Sequence, residues 1–325
     1  MKTKVSFVIL SHNDAGMVIS AVNSIKRMKT RHKFDIFVVD NGSKDRTPEK
    51  IKKKFNDVKV IELPDNIGTA AYDAAIKKSN SEYIFFTGCD VEFKKDMLDM
   101  LVGFLDRNKA AAQVAPKYAD FYSRRKTDLG GTWLSRSFYS GTFKDDTLGK
   151  EAIEIPYIGT GLIRNSVIKK FGYLFDNGYF FYGEDVDLGM RIRLAGFKVY
   201  YMPSAIAYHR GSISRKIHNP AFLTYLMERN LLRTFFKVFS MKNLILFIPY
   251  VMLARAVAIA RDLLLLRFGG AFSRIKAIWW VIANFNLVIE GRREAQRIRK
   301  VGDNEILKFF SERYLFGIGS PAKSL

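Results

Sequence analysis

Residues 34–55 read FDIFVVDNGSKDRTPEKIKKKF, and this stretch decides the fold. Phe34–Val39 is a short run rich in Val, Ile and Phe, the composition of a buried strand. It runs into Asp40-Asn41-Gly42-Ser43, all turn formers, and then into a helix-like stretch from Arg46 to Phe55. The same unit recurs outward from it. Val5–Leu10, Val58–Leu63 and Tyr83–Thr87 are strand-like, while Ala15–Met28, Thr69–Lys78 and Lys95–Arg107 are helix-like. This alternation predicts an α/β fold with a mainly parallel, Rossmann-like sheet flanked by helices.

Each of the four strands ends in polar residues. They are Ser11-His12-Asn13-Asp14, then Asp40-Asn41-Gly42-Ser43, Pro64-Asp65-Asn66, and Gly88-Cys89-Asp90-Val91-Glu92. In open α/β sheets ligands bind beyond the carboxyl ends of strands, so four such clusters predict a binding crevice. Any one of them alone is a turn. Asp90 and Glu92 stand two apart at a strand end, where both can face one side. Hard oxygen ligands of this kind suit Mg²⁺ or Mn²⁺, which bind through one or two carboxylates together with substrate phosphates.

Residues 110–160 predict a mixed β segment with loops, followed by a strand over Ile158–Ile163 and a short helix over Asn165–Phe171. Then comes YFFYGEDVDLGMRIRLAGFKVYY, Tyr179–Tyr201, which crowds Glu184, Asp185 and Asp187 behind an aromatic run. Leu188, Arg191, Ile192 and Leu194 continue at helical spacing, and Gly196 falls where a helix-ending glycine belongs. Acids at a helix start are favoured by the dipole and the free N–H groups, so Asp185 or Asp187 could serve only as a cap. A carboxylate held free on rigid structure is instead a general base. A strand over Lys198–Met202 and Ala205–Tyr208 lead to His209.

The formal charge of +21 calls for an anionic partner. From Arg210 onward 20 Lys/Arg stand against 7 Asp/Glu, so most of the excess lies away from the acidic cluster. One cysteine, Cys89, excludes an internal disulfide, and four scattered histidines argue against a Cys/His zinc site. The apolar run Val5–Leu10 is too short for a signal peptide, which predicts a cytoplasmic start.

In the last third Ala221–Phe239 is amphipathic. Asn243–Leu253 and Ile275–Ile289 are strongly apolar, with Arg255, Arg261, Asp262 and Arg267 between them. Arg255 near the middle of a spanning helix would be costly. The expectation is helices lying in an anionic membrane interface, apolar side chains sunk and arginines reaching phosphates. A homodimer through these helices is the alternative. Nucleic acid is not expected, because the basic residues flank apolar helices and form no basic face interleaved with aromatics.

VILSHND, VVDNGSKD, PDNIGTA, GCDVEF, GTGLIRN, FFYGEDVDLGMRIRLAGFKVYYMP and AYHRGS, in that order over residues 4–215, resemble the family 2 glycosyltransferases. More narrowly they are similar to the rhamnosyltransferase-like branch that elongates lipid-linked glycans and surface polysaccharides. The resemblance implies a GT-A nucleotide-sugar-binding fold over 1–215 and a helical membrane-associating region over 216–325. It implies inverting transfer from a UDP-, GDP- or dTDP-linked sugar to a lipid-linked or polysaccharide acceptor at the cytoplasmic face of the membrane. Asp40 would contact the base, with Ser11, Asn13 and Asn41 nearby, and Asp65, Asn66 and Gly68 would line the nucleotide pocket. Asp90 matches the leading metal ligand, with Glu92 and His209 as further candidates. Asp185 matches the catalytic base, with Glu184 beside it. Glu92 stands where the family has a second aspartate, and Tyr72-Asp73 where it has an asparagine pair. Transfer to a polyprenyl phosphate is the enzymatic alternative.

Overall fold

The computed structural model describes residues 3–124, 126–143, 149, 151–211 and 219–311. Its first half is β1 Val5–Ser11, α1 Ala15–Lys26, β2 Phe34–Asn41, α2 Thr47–Lys54, β3 Val58–Leu63, a 3-10 turn at Gly68–Ala71, α3 Tyr72–Ile76, β4 Tyr83–Gly88, β5 Val91–Phe93 and α4 Met97–Arg107. Next come β6 Ala111–Asp120, β7 Thr127–Leu129, β8 Gly131–Ser135, β9 Ser140–Phe143, β10 Ile153–Glu154 and β11 Gly161–Arg164. Then follow α5 Asn165–Phe171, α6 Glu184–Leu194 and β12 Lys198–His209. The rest is helical: α7 Pro220–Val238, α8 Met241–Leu264, α9 Phe268–Ala283, α10 Phe285–Arg297 and α11 Asn304–Leu307, with a short β13 at Phe310–Ser311.

The main sheet runs β10-β12-β6-β11-β4-β1-β2-β3, with β5 on β12 and β7 on β6. Strands β3, β2, β1 and β4 are parallel, as the β-α units require. Their inner runs are buried on both faces, which is why Val8, Ile9, Val38 and Val39 read as continuous apolar sequence. Beyond β4 the expected parallel order gives way. β11 enters antiparallel to both β4 and β6, and β12 lies parallel to β6, so the sheet as a whole is mixed.

β12 has a register shift between Met202 and Ile206, around Pro203, where no N–H is available for the ladder. The shift lets one strand pair with β6 along its length and with β5 at its end. It sets His209 opposite Val91, one residue from Asp90.

A second apolar cluster joins Val186 and Met190 of α6 to Leu231 and Phe235 of α7 and to Leu134 and Phe138 beside β8. The C-terminal helices are thus packed onto the acidic helix. The expected boundary at residue 215 lies outside the described residues. Arg255 departs from the expectation that the arginines of this region reach outward. It is fully buried, donating to the carbonyls of Ser137 and Phe138 and lying 4.4 Å over the Tyr139 ring. An arginine surrounded by helix and hairpin is held by carbonyls that a lipid could not supply.

Candidate active site

The register of β1 and β2 sets Ser11 beside Asp40 at the carboxyl edge. Both are about 2% exposed. Asp40 accepts through Oδ2 from the Ser43 N–H at 3.0 Å, while its Oδ1 and the Ser11 hydroxyl have no hydrogen-bond partner among the described residues. A buried polar atom left unpaired costs about 1–3 kcal/mol, so two in register at a crevice mark where a ligand's polar groups belong.

Asn13 and Asn41 shape the rim. Asn13 sits at φ 54, accepts from the Lys44 N–H at 2.7 Å through its side-chain oxygen and donates its own N–H to the Ser43 hydroxyl, which locks two loops together. Asn41 donates to Asn66 Oδ1 and to the Gly68 carbonyl, and accepts from the Ile67 N–H. Asp65 and Asn66 are exposed at the edge. Gly68 has φ +70, and a Cβ there would stand 2.0 Å from the Phe180 carbonyl oxygen, so only glycine fits.

Asp90 lies in the turn between β4 and β5, with its Oδ2 3.2 Å from His209 Nε2. Glu92 does not join them. It binds Arg210 at 2.5 Å and the Ser20 hydroxyl, because the turn at Cys89–Asp90 interrupts the alternation that would have put both acids on one side. The pair brought together is therefore Asp90 with His209. An Mg²⁺ or Mn²⁺ ion fits a carboxylate and an imidazole of this kind when substrate phosphates and water complete its shell.

The three acids of α6 part company. The helix is capped by Gly183, at φ 83 and with no side-chain cap bond. Asp187 is fully buried and holds both Arg191 and Lys237 at 2.7 Å. Despite its burial, those two cations hold its carboxyl down at about 2. Among the described residues Glu184 and Asp185 form no ion pair. Burial first, and for Glu184 the adjacent Asp185 charge next, push both above the usual carboxylate range, Glu184 the further. Asp185 receives the Val186 N–H at 2.8 Å, and Glu184 Oε2 is buried without a hydrogen-bond partner among the described residues.

Three residues with no site role assigned from sequence stand near these acids. The buried Tyr72 phenol, pushed well up by burial, also senses the charges of Asp90 and Glu184, which ties the β4 end to the α6 start. The Tyr157 phenol, pushed up likewise, senses Asp185, and a Cβ on Gly159 would meet Asp185 Oδ2 at 3.3 Å. Tyr72 and Tyr157 are single aromatics with no local motif. Gly159 opens the GTGLIRN block but reads there only as close backbone approach.

A parallel half-sheet with a polar crevice at its carboxyl edge, closed by a mixed half that brings in free carboxylates, defines a GT-A-like α/β protein. The chain belongs to glycosyl transferase family 2, whose family model matches residues 6–172. It is 24% identical over 214 residues to an N-acetylglucosaminyl-diphospho-decaprenol L-rhamnosyltransferase of Mycobacterium tuberculosis, covering 56% of this chain and 68% of that protein. To the rhamnosyltransferase WbbL of Escherichia coli it is 27% identical over 156 residues, 45% of this chain and 58% of the relative. Among solved structures it resembles GalNAc-T7 with UDP, GalNAc and Mn2+, at TM-score 0.59 and 16% identity, over 78% of this chain and 51% of that one. That likeness carries the fold alone. The chain thus spans about half to two thirds of these relatives.

Proposed function

We propose that this protein is an inverting glycosyltransferase that moves a sugar from a nucleoside diphosphate to a hydroxyl of a lipid-linked or polysaccharide acceptor. The observation that carries this is the division of labour among the three acids of α6: among the described residues Asp187 alone is ion-paired, and Asp185 and Glu184 are left uncompensated. Asp185 receives the acceptor proton as the acceptor oxygen bonds to the anomeric carbon and the bond to the diphosphate breaks. A carboxyl raised toward neutrality by burial is suited to that exchange. Ser11 and Asp40 offer an unpaired hydroxyl and carboxylate oxygen to the nucleotide base. Asp90 and His209 would hold a divalent metal, which would supply charge neutralisation for the leaving diphosphate. Glu92 is assigned instead to anchoring Arg210 next to His209.

The diphospho-decaprenol in one relative's name, and the apolar face of the C-terminal helices, favour a lipid-linked acceptor, and the cytoplasmic face of the membrane is part of the same proposal. The division near residue 215 belongs to the same proposal, with 216–325 serving as the membrane-facing part. Asp185→Asn is the test. It keeps shape and removes the base, so transfer should fall by about a hundredfold or more while donor binding persists. Near-wild-type turnover by Asp185→Asn would defeat the assignment.

A further inference from the structure

A basin of about 570 Å³ lies between the end of α1, the β5–α4 loop and the β6–β7 turn. Arg27 and Lys29 line it beyond α1, Lys94 and Lys95 from the loop, and Arg124 from the turn. Its acids are Glu92 and Asp96. None of Ser11, Asp40, Asp90, Asp185 and His209 lines it. The five cations come from three distant segments of the chain, so they form a basic cleft without a basic motif.

The walls are fixed by backbone bonds. The Lys29 N–H donates to the Lys95 carbonyl at 2.8 Å, and the Phe93 N–H to the buried Ser24 hydroxyl at 3.1 Å. The Arg124 guanidinium lies against two rings, 4.3 Å from the Phe121 centroid and 4.1 Å from that of Tyr208. Stacking of this kind holds its plane and leaves its N–H edge for a ligand. Glu92 is already engaged by Arg210 at 2.5 Å and by the Ser20 hydroxyl. Burial works against the Glu92 charge, but the bonds from Ser20 and Arg210 and the charge of Arg124 hold its carboxyl below the usual range. Among the described residues none of the five cations has an ion pair. Five basic side chains against two acidic ones leave an excess of three, and a cleft lined by one sign of charge concentrates the opposite ion. A carboxylate would balance only one of them. A phosphate monoester carries about −1.5 to −2 at pH 7, and a diphosphate comes closer to the excess. A guanidinium edge takes two phosphate oxygens side by side, while lysines act as point charges around them.

We infer that this basin is a second anion site, apart from the crevice, and that it takes a diphosphate group or a similar multiply charged phosphate. Arg124 grips one phosphate by its N–H edge, and the lysines and Arg27 surround the rest. The site adjoins the metal position. Glu92 of its lining is held by Arg210, whose backbone N–H donates to the Asp90 carbonyl at 2.9 Å. Its ligand binds whether or not the crevice transfers a sugar.

The test is calorimetric titration of the full chain with inorganic diphosphate, in chelator and at about 0.15 M salt, where weak surface attraction is screened. Wild type should bind saturably. Arg124, Lys94 and Lys95 are exposed, so Arg124→Gln and the double variant Lys94→Gln, Lys95→Gln should keep the wild-type thermal midpoint, which is checked first. Each should bind the probe about tenfold or more weakly. Asp90→Ala should bind it as wild type does, because the crevice is not the site. Absence of saturable binding by wild type would overturn the proposal, as would wild-type affinity in both basin variants. Loss in Asp90→Ala with retention in Arg124→Gln would assign the anion to the crevice instead. Should Arg124→Gln bind diphosphate normally and lose only flotation on phosphatidylglycerol vesicles, the basin would serve lipid headgroups and the proposal would fall.

Discussion

Asp185 and Asp187 stand one residue apart and meet opposite fates. Asp187 is tied to Arg191 and Lys237 inside the protein, so Asp187→Ala takes the buried Arg191 away from its carboxylate and leaves Lys237 with Asp176 alone. That should cost about 3–5 kcal/mol, read by urea denaturation at neutral pH. Its carboxyl is held below the unfolded value, so its contribution is present above about pH 4 and lost as pH falls toward about 2. Glu184 carries the opposite sign. Its carboxyl is raised, so the folded state holds a proton that the unfolded chain releases, and stability declines as pH rises through neutrality. Glu184→Gln removes that penalty. The variant should gain thermal midpoint over wild type at about pH 8, and less or nothing at about pH 5. An equal gain at both would show that the cause is packing and not ionisation.

At the scale of elements, the segment entering α6 is a strained bridge. Phe180, Tyr182 and Gly183 all have positive φ, at 62°, 62° and 83°. Such backbone persists only when its surroundings over-determine it. From one side the Thr69 N–H donates to the Phe180 carbonyl at 2.9 Å. From the other, Asn230 of α7 donates to the carbonyls of Tyr179, Phe181 and Tyr182, and Arg229 to those of Gly178 and Tyr179. Asn230→Ala should therefore move the carboxylates more than it unfolds the protein. The expected result is a fall in kcat of about tenfold or more with a loss of about 1–3 kcal/mol in stability. A lowered midpoint with kcat intact would reduce Asn230 to a structural residue. Gly68→Ala tests the other side, since a methyl group there collides with backbone and should weaken nucleotide binding.

The molecule as a whole is one-sided. Among described residues one helix, Met241–Leu264, is long and apolar enough to cross a membrane by length and composition. Yet Arg255 at its middle is turned inward and enclosed by the β8–β9 hairpin and α7. Its outward side, with that of α9, exposes Leu246, Leu253, Leu264, Leu266, Phe272 and Trp279. A helix packed on one side and apolar on the other suits a bilayer surface better than its interior. Changing Leu266, Phe272 and Trp279 together to Glu should abolish flotation on phosphatidylglycerol vesicles at low salt, each large apolar group being worth about 1.5–3 kcal/mol on full burial. Unaltered flotation would assign the face to a second copy of the chain, and sedimentation would then show the dimer.

Period and punctuation made the β-α half legible, because buried parallel strands are continuous apolar runs and each ends in the polar residues a crevice needs. The same reading put Asp40, Asp90 and Asp185 among the candidates, the family resemblance added His209, and composition marked the apolar C-terminal helices. It could not say which of three neighbouring acids is free. That depends on Lys237, which lies 50 residues further along the chain and is fully buried against Asp187. Nor could it separate Glu92 from Asp90, since a two-residue turn in place of strand overrides the alternation. The mixed half of the sheet and the inward turn of Arg255 were likewise decided only in three dimensions. Local sequence specifies elements and their ends, whereas the partner of a charge is chosen by whatever the fold packs beside it.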